Sequence, residues 1–496
     1  MAEKLFIGLD IGTTAVKAAA FCANGAQVAQ ARQDVTVERS NDGWSELSMD
    51  TVWDAARDCL VNVVAQVDPN AVHSIGVCGQ GDGLWMLDRD HRPVRNAILW
   101  NDARATAYVQ VWTDDGTSDE ISRYSRTAIW PGASGAALRW VYDNEREAFE
   151  KVAHILCAKD WIVYKLTGNI GTDFSDATIP FMDLETKTYA SQVFRALGLP
   201  DMTRKLPNPD YSTALAGTLS EDIGLPEIPV ARGSSDVTAM MTGLGVAEPG
   251  DMCLILGTTA VLTYVTEPEL FTKPPLAATL HHPFNSNWIR GLAPQSGASA
   301  FDWFAALHPN SFGGEDAADI AAKINAAAQD VPPGANGVLF LPFLTGERAP
   351  FVAPDAAASF HGMRASTTKA DLACAVMEGT ALSLLHCLKA SGANAPKRVV
   401  LTGGGARNAL WCQIVADILG VTILANAAED HGLWGAAQYG AAAAGAMEPL
   451  SVERDEAFDE FDPNAETRAT YTALYETYLK AVEASRAIWA AMGTQK

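Results

Sequence analysis

The pentapeptide Gly-Thr-Thr-Ala-Val occurs twice in this chain, at residues 12–16 and 257–261, and each copy joins two short apolar runs. Runs 5–9 and 15–21 flank the first copy, and runs 252–256 and 260–265 flank the second. Apolar segments of this length on either side of a turn predict β-hairpins. A Gly-Thr-Thr turn directs successive backbone N–H groups and two hydroxyls into one small volume, the donor set a polyphosphate oxygen needs. One Gly-Thr pair alone would be an ordinary turn. Two copies, the first led by Asp10, predict two similar domains facing each other, each lending a phosphate hairpin to a shared cleft.

The remaining pattern alternates strand and helix. A third strand-like run covers 26–37, and Ser48 stands as the N-cap of a helix with Asp50 in its first turn. The strand 73–78 runs into Gly79-Gln80-Gly81-Asp82-Gly83, a polar, glycine-dense turn at a strand's C-terminal end, where open α/β sheets bind ligands. Asp82 could equally satisfy its own turn backbone. A helix is expected over 136–149, and a breaker cluster at 247–250 divides the chain into domains 1–247 and 248–496. In the second half, helices are expected near 298–307, 316–328 and 369–390, with an apolar strand over 337–344. A β-branched strand, 397–401, enters Thr402-Gly403-Gly404-Gly405 and then a helix over 409–419. Strand, glycine loop and helix N-terminus together make an anion and nucleotide seat. An alanine-rich helix over 432–445 suits tight packing beneath that seat, and an amphipathic helix over 466–489 carries Tyr471, Leu474, Tyr475, Tyr478, Val482 and Trp489 on one face. It either docks on the body or mediates self-association as a homodimer.

Charge narrows the partners: 36 basic against 59 acidic residues give −23, so neither nucleic acid nor an anionic membrane finds a basic face here. Eight cysteines, none in a C-x-x-C pair, read as reduced core thiols. No signal-peptide pattern opens the chain and no apolar run reaches membrane-spanning length, so a cytoplasmic protein is expected.

Asp10-Ile-Gly-Thr-Thr followed by Lys17 resembles the first phosphate loop of the actin, hexokinase and Hsp70 ATPase superfamily. Within it the chain is similar to the FGGY carbohydrate kinases, most specifically at Ser359-Phe360-His361-Gly362-Met363, then Asp371-Leu372 and Ala375-Val376-Met377-Glu378. The resemblance spans Leu5 to about Ala444. It implies an α/β fold of two actin-like domains flanking a central cleft, and an ATP-dependent kinase acting on a small-molecule sugar or polyol. ATP would be held by Asp10, Gly12, Thr13, Thr14, Lys17, Gly257, Thr258 and Thr259, with Mg²⁺ near Asp10 through water. The family places adenosine against Gly403, Gly404 and Asn408. Gln80, Gly81 and Asp82 fall at the sugar site, as do Trp100 with its flat face, Asp102 and Arg104 as polar handles, and Trp130, which could equally be core. D-xylulose kinases carry Met-His where Gly81-Asp82 stand, and glycerol kinases carry Arg-Glu. Phosphoryl transfer to an alcohol needs a carboxylate aimed at the hydroxyl proton, and Asp236, where the family usually has Gly-Asp for Ser235-Asp236, is the expected base and a substrate contact. The Asp236-Val237 pair resembles the L-xylulose kinase branch. Lys159-Asp160-Trp161, Thr172-Asp173, Ser175-Asp176 and Asp183 match the family in order and read as structural. Glu347 and Arg348 are expected to form a salt bridge, and Glu378 to be a packing or hinge residue. A xylulose-type pentulose is the expected substrate, with erythritol or another short polyol, or 3-keto-gulonate, as alternatives. Two other classes are a nucleotide-driven switch, for which no peptide-binding domain or filament insert is visible, and a non-catalytic nucleotide- or sugar-binding regulator, against which Asp236 and the lack of a basic DNA-binding segment count.

Overall fold

The computed structural model describes residues 4–40, 42–268, 278–307, 317–451 and 458–493. The chain divides into two compact units: Met1–Ala247 with Val265–Ile289 and Asp430–Glu456, and Glu248–Tyr264 with Arg290–Glu429 and Ala457–Lys496.

In the first unit, strands Leu5–Ile11 and Ala15–Cys22 form an antiparallel hairpin in which Asp10 lies opposite Lys17. Strand Gln27–Asp34 extends it, and Val72–Gly79 joins its other side in parallel, pairing Asp10 with Cys78. Strands Pro229–Ala231 and Ser234–Ser235 follow on Val72–Gly79. Helix Met49–Val64 starts at Ser48, whose side chain accepts the Thr51 N–H, and its apolar face covers the hairpin.

Helix His431–Ala443 packs on the same sheet and on helix Asp236–Gly243. The sequence places it beneath the glycine loop of the second half; it packs on the first unit instead, where glycines let its backbone approach the strands closely. A Cβ on Gly76 would lie 1.7 Å from the Ala436 carbonyl oxygen, and one on Gly8 would lie 1.9 Å from that of Leu433. Only a residue without a Cβ allows such an approach.

The helix expected over 136–149 is two helices, Ser134–Asn144 and Arg146–Lys151. Glu145 leaves the helical region (φ −132°, ψ 59°), where its carboxylate meets Arg95 Nη1 at 2.7 Å.

The second unit repeats the hairpin, with Asp251–Leu256 antiparallel to Ala260–Thr266. Arg398–Thr402 runs parallel to Asp251–Leu256, Ile423–Ala425 follows in parallel, and Asp459–Phe461 closes that edge antiparallel. The strand expected over 337–344 is only Leu339–Leu341, since Pro342 offers no N–H to continue a ladder. Helix Ala317–Ala328 matches its expected span except at Asp316, which lies outside the described residues. Helix Lys369–Ala390, contrary to the sequence reading, is long and apolar enough to cross a membrane, yet most of it is buried in this unit. Glu347 does not pair with Arg348: its carboxylate accepts the backbone N–H groups of Gln295, Arg348 and Ala349, while Arg348 Nε donates to the Ala293 carbonyl.

Helix Arg468–Gly493 docks on this unit through buried Tyr471, Tyr478, Val482 and Trp489. Its Tyr471 hydroxyl donates to Glu378 at 3.0 Å, and the Gly334 amide donates to the same oxygen at 2.8 Å. All eight cysteines are free thiols, seven of them buried.

Gly76→Ala should lower the thermal midpoint sharply, because overpacking typically costs about 1–3 kcal/mol and here the obstacle is backbone. At about 2–4 °C per kcal/mol in a domain of this size, a loss of roughly 2–12 °C is expected. Gly404→Ala, whose Cβ meets nothing within 4 Å, should leave the midpoint unchanged in the same calorimetric scan.

Candidate active site

Parallel pairing of Leu5–Ile11 with Val72–Gly79 brings both strands to a common C-terminal edge. The Gln80 amide closes that edge by donating to the Ile11 carbonyl at 2.9 Å. On the other flank Ser235 pairs with Gly79, so helix Asp236–Gly243 begins at the same place. Asp10, the 79–83 turn and Asp236 are therefore assembled by three chain segments.

Three carboxyl groups of this edge are held above the usual carboxylate range. Burial, and after it the charge of Asp10, pushes Asp236 up to about 7. Asp82 rises to about 8 through burial and the charge of Asp236. Asp10 rises to about 6 through burial, opposed by Lys17 and by the neighbouring Cys78 thiol, and its Oδ1 is buried without a hydrogen-bond partner. Asp236 is not the N-cap of its helix. Ser235 holds that position, and Asp236 Oδ1 accepts the N–H of Val237 at 2.7 Å.

Trp100 is 39% exposed, and its Nε1–H donates to Thr13 Oγ1 at 3.1 Å. Thr13 in turn donates to Gln80 Oε1 at 3.1 Å, while Gln80 Nε2 is buried with no partner. Gly81 faces Ser235 and Asp176: a Cβ there would lie 3.5 Å from each. Asp82 occupies the left-handed region at φ 61°. Trp130 is half-buried against the core of helix Ser134–Asn144, and the carbonyl of Gly132 accepts the Gly83 amide.

Asp102 and Arg104 do not present free polar handles. Asp102 accepts Ser45 N at 2.6 Å, Arg104 N at 2.8 Å and Arg104 Nε at 2.8 Å, and Arg104 Nη2 reaches Glu46 at 2.6 Å. The guanidinium lies over Trp44 at 4.4 Å and Trp140 at 4.9 Å. Both residues are buried and brace the segment that carries Trp100.

The segments around Lys159, Asp173 and Asp176, read as structural from the sequence, form a buried supporting group. Lys159 Nζ, fully buried, contacts Asp160 at 2.6 Å, Asp173 at 3.1 Å and Asp176 at 3.2 Å. Burial holds the Asp176 carboxyl well above its ordinary range despite the lysine. Cys157, Asp160 and Asp176 lie close enough together to suggest metal ligands, but the Lys159 ammonium is already the cation among these acids. The neighbouring Ser175 Oγ accepts the Ser235 N–H at 3.1 Å and so anchors the residue before Asp236. The signal was legible as a lysine followed by acids at 160, 173 and 176.

In the second unit, the carbonyls of Gly257 and Thr258 are taken by the amides of Ala298 and Ser299. Gly403 adopts φ 88° with its Cα against the backbone of Leu256, and Gly404 faces open space. Asn408 lies at the start of helix Ala409–Leu419: its Oδ1 caps that helix through Trp411 N–H, and its Nδ2 donates to Asn325 Oδ1 at 2.8 Å. It shapes the loop rather than offering a free amide.

Residues 5–243 match the N-terminal domain, and residues 252–444 the C-terminal domain, of the FGGY family of carbohydrate kinases. The chain is 30% identical to the xylulose kinase of Escherichia coli K12, over 84% of this chain and 85% of that one. It is 27% identical to the probable L-xylulose kinase of Pasteurella multocida, over 97% and 99% of the two chains. A solved structure of a xyloylose kinase from Brucella ovis superimposes with a TM-score of 0.88 at 25% identity, covering 98% of this chain and all of that one.

Asp82 yields a stability prediction. Its folded-state value near 8 lies above the ordinary 3.8, so the unfolded chain holds fewer protons between about pH 4 and 8, and stability falls as pH rises through that window. Asp82→Asn, which tolerates the positive φ, removes the penalty. Its thermal midpoint should match the parent's near pH 4 and exceed it at pH 8, by about 2–4 °C for each kcal/mol relieved. A gain equal at both pH values would show that the charge is not its cause.

Proposed function

Because the chain belongs to the FGGY family of carbohydrate kinases, we propose that it transfers the γ-phosphoryl group of ATP to a terminal hydroxyl of a xylulose-type pentulose. The observation that carries this reading is Asp236, a carboxylate at a helix start, not used as its cap and raised to about 7. A base poised near neutral pH takes a hydroxyl proton more effectively than an ordinary aspartate, and a substantial fraction of it is ionised there.

As the sugar hydroxyl attacks, Asp236 accepts its proton. Gln80, with buried donors free, and Asp82 bind hydroxyls, and the exposed face of Trp100 covers the apolar side of the sugar. Gly12, Thr13, Thr14 and Lys17 of the first unit take phosphate oxygens. Gly257, Thr258 and Thr259 of the second do the same, with adenosine against Gly403 and Gly404. The orphaned buried Oδ1 of Asp10 fits a water of hydrated Mg²⁺, an ion that would neutralise phosphate charge when bound. Lys17 opposite tempers the charge of Asp10.

Three acids at one edge favour a neutral sugar over a sugar acid such as 3-keto-gulonate, whose carboxylate would meet like charge. The names of the relatives, xylulose and L-xylulose kinases, support a pentulose in particular. Dependence on ATP and free thiols fit the cytoplasm.

A coupled ADP assay across ketopentoses, short alditols and keto-sugar acids tests the substrate. Asp236→Asn should lower kcat by about 10²- to 10⁴-fold with the ATP dissociation constant near that of the parent; turnover within threefold of the parent would remove Asp236 from the base role. In the parent, kcat/KM for the sugar should rise with pH through about 7 as Asp236 ionises. Gly404→Val should raise KM for ATP without changing that for sugar, and the opposite pattern would move adenosine elsewhere.

A further inference from the structure

The Thr13 hydroxyl has one proton to give, and in this structure that proton goes to Gln80 Oε1 at 3.1 Å while the oxygen accepts Trp100 Nε1–H, also at 3.1 Å. A phosphate oxygen only accepts. Thr13 therefore cannot donate to Gln80 and to a phosphate at the same time. Gln80 is 3% exposed and its Nε2 has no partner, so losing the Thr13 proton would leave its carbonyl oxygen unpaired as well, a cost typical of buried polar groups. A sugar hydroxyl can cancel that cost, since it accepts from Nε2 and donates to Oε1.

We infer that Thr13 is a positioning residue that couples the two substrates: sugar at Gln80 releases the Thr13 proton for the nucleotide's phosphate, so each ligand tightens the other. The inference rests on the kinase reading above. It adds that the exchange of one hydroxyl proton between Gln80 and phosphate sets the size of that coupling. Trp100, which donates to the same oxygen, can keep its bond in both states and so holds the Thr13 side chain in place during the exchange. Reciprocity follows: the factor by which sugar tightens nucleotide equals the factor by which nucleotide tightens sugar.

Calorimetric titration with ADP, with and without saturating pentulose, reads this directly. The parent should show a coupling of about 5- to 20-fold, retained in Thr13→Ser and reduced to within twofold in Thr13→Val. Gln80 variants give the discriminating sign. Gln80→Leu cannot accept the Thr13 proton, so without sugar it should bind ADP as tightly as the sugar-saturated parent. Gln80→Glu, a stronger acceptor with no donor, should bind ADP more weakly than the sugar-free parent. A purely structural role would weaken ADP in both. Unchanged coupling in Thr13→Val, or the same direction in the two Gln80 variants, would overturn the inference. The Gln80 arms need no sugar, so they separate its failure from that of the substrate assignment, which the ADP-release assay on the parent reports.

Discussion

The contact on which the first unit depends is the backbone approach of helix His431–Ala443 to two strands and a helix. Glycine is the enabling residue on both sides: Gly8 and Gly76 in the strands, Gly435 in the helix, and Gly243 at the end of helix Asp236–Gly243. A Cβ at any of these would fall within 2 Å of a carbonyl oxygen. Each glycine costs about 0.5–1 kcal/mol in a regular element. That cost is offset by the apolar surface the approach buries, with Phe6 and Phe21 packed against Leu433, Trp434, Ala437 and Ala441. The functional consequence is rigidity. The strands carrying Asp10 and Gln80, and the helix that starts at Asp236, all rest on one helix, so their relative positions are fixed by packed backbone rather than by side chains able to change rotamer.

Rigid placement lets the edge hold groups that repel. Asp10, Asp82 and Asp236 are each raised by burial first, and like charge adds to it at Asp82 and Asp236. In a loose site such acids would separate or draw in water. Here the strand register and the closely packed helix hold them together, and the unit carries a local instability that suits proton transfer. The buried Lys159 with its three aspartates solves the opposite problem below the site, where one cation neutralises part of an acidic cluster and keeps Ser175 in place to hold Ser235.

Local chemistry explains what the sequence disclosed. Both Gly-Thr-Thr hairpins, the strand leading into residues 79–83, the Ser48 cap and the strand into Gly403 are set by neighbours a few residues apart, and all are present. The sequence misled where partners are distant. Asp102 and Arg104 look like polar handles for a sugar until Ser45, Glu46, Trp44 and Trp140 enclose them. Helix His431–Ala443 follows the second-half strands in the chain, and nothing within its alanine-rich run names Gly8 and Gly76 as its seats.

Position 235 shows how a departure from the family's usual glycine can leave the chemistry intact. Glycine before the base offers freedom without anchoring. Ser235 instead has its N–H held by Ser175, its Oγ 3.0 Å from Thr238 Oγ1, and its carbonyl accepting the Thr238 hydroxyl at 2.9 Å. The first turn of the helix is thus closed by Ser235 and Thr238. Had Asp236 been the nearest side chain able to cap that turn, its carboxylate would have been drawn onto the backbone N–H groups and its affinity for a proton lowered. The carboxylate lies one residue inside the Ser235 N-cap position, and burial raises its proton affinity against its local backbone bonds, among them the Val237 N–H. The two serines at 175 and 235 therefore act on the chemistry without touching the reacting atoms, by anchoring the residue from which the helix of the base starts.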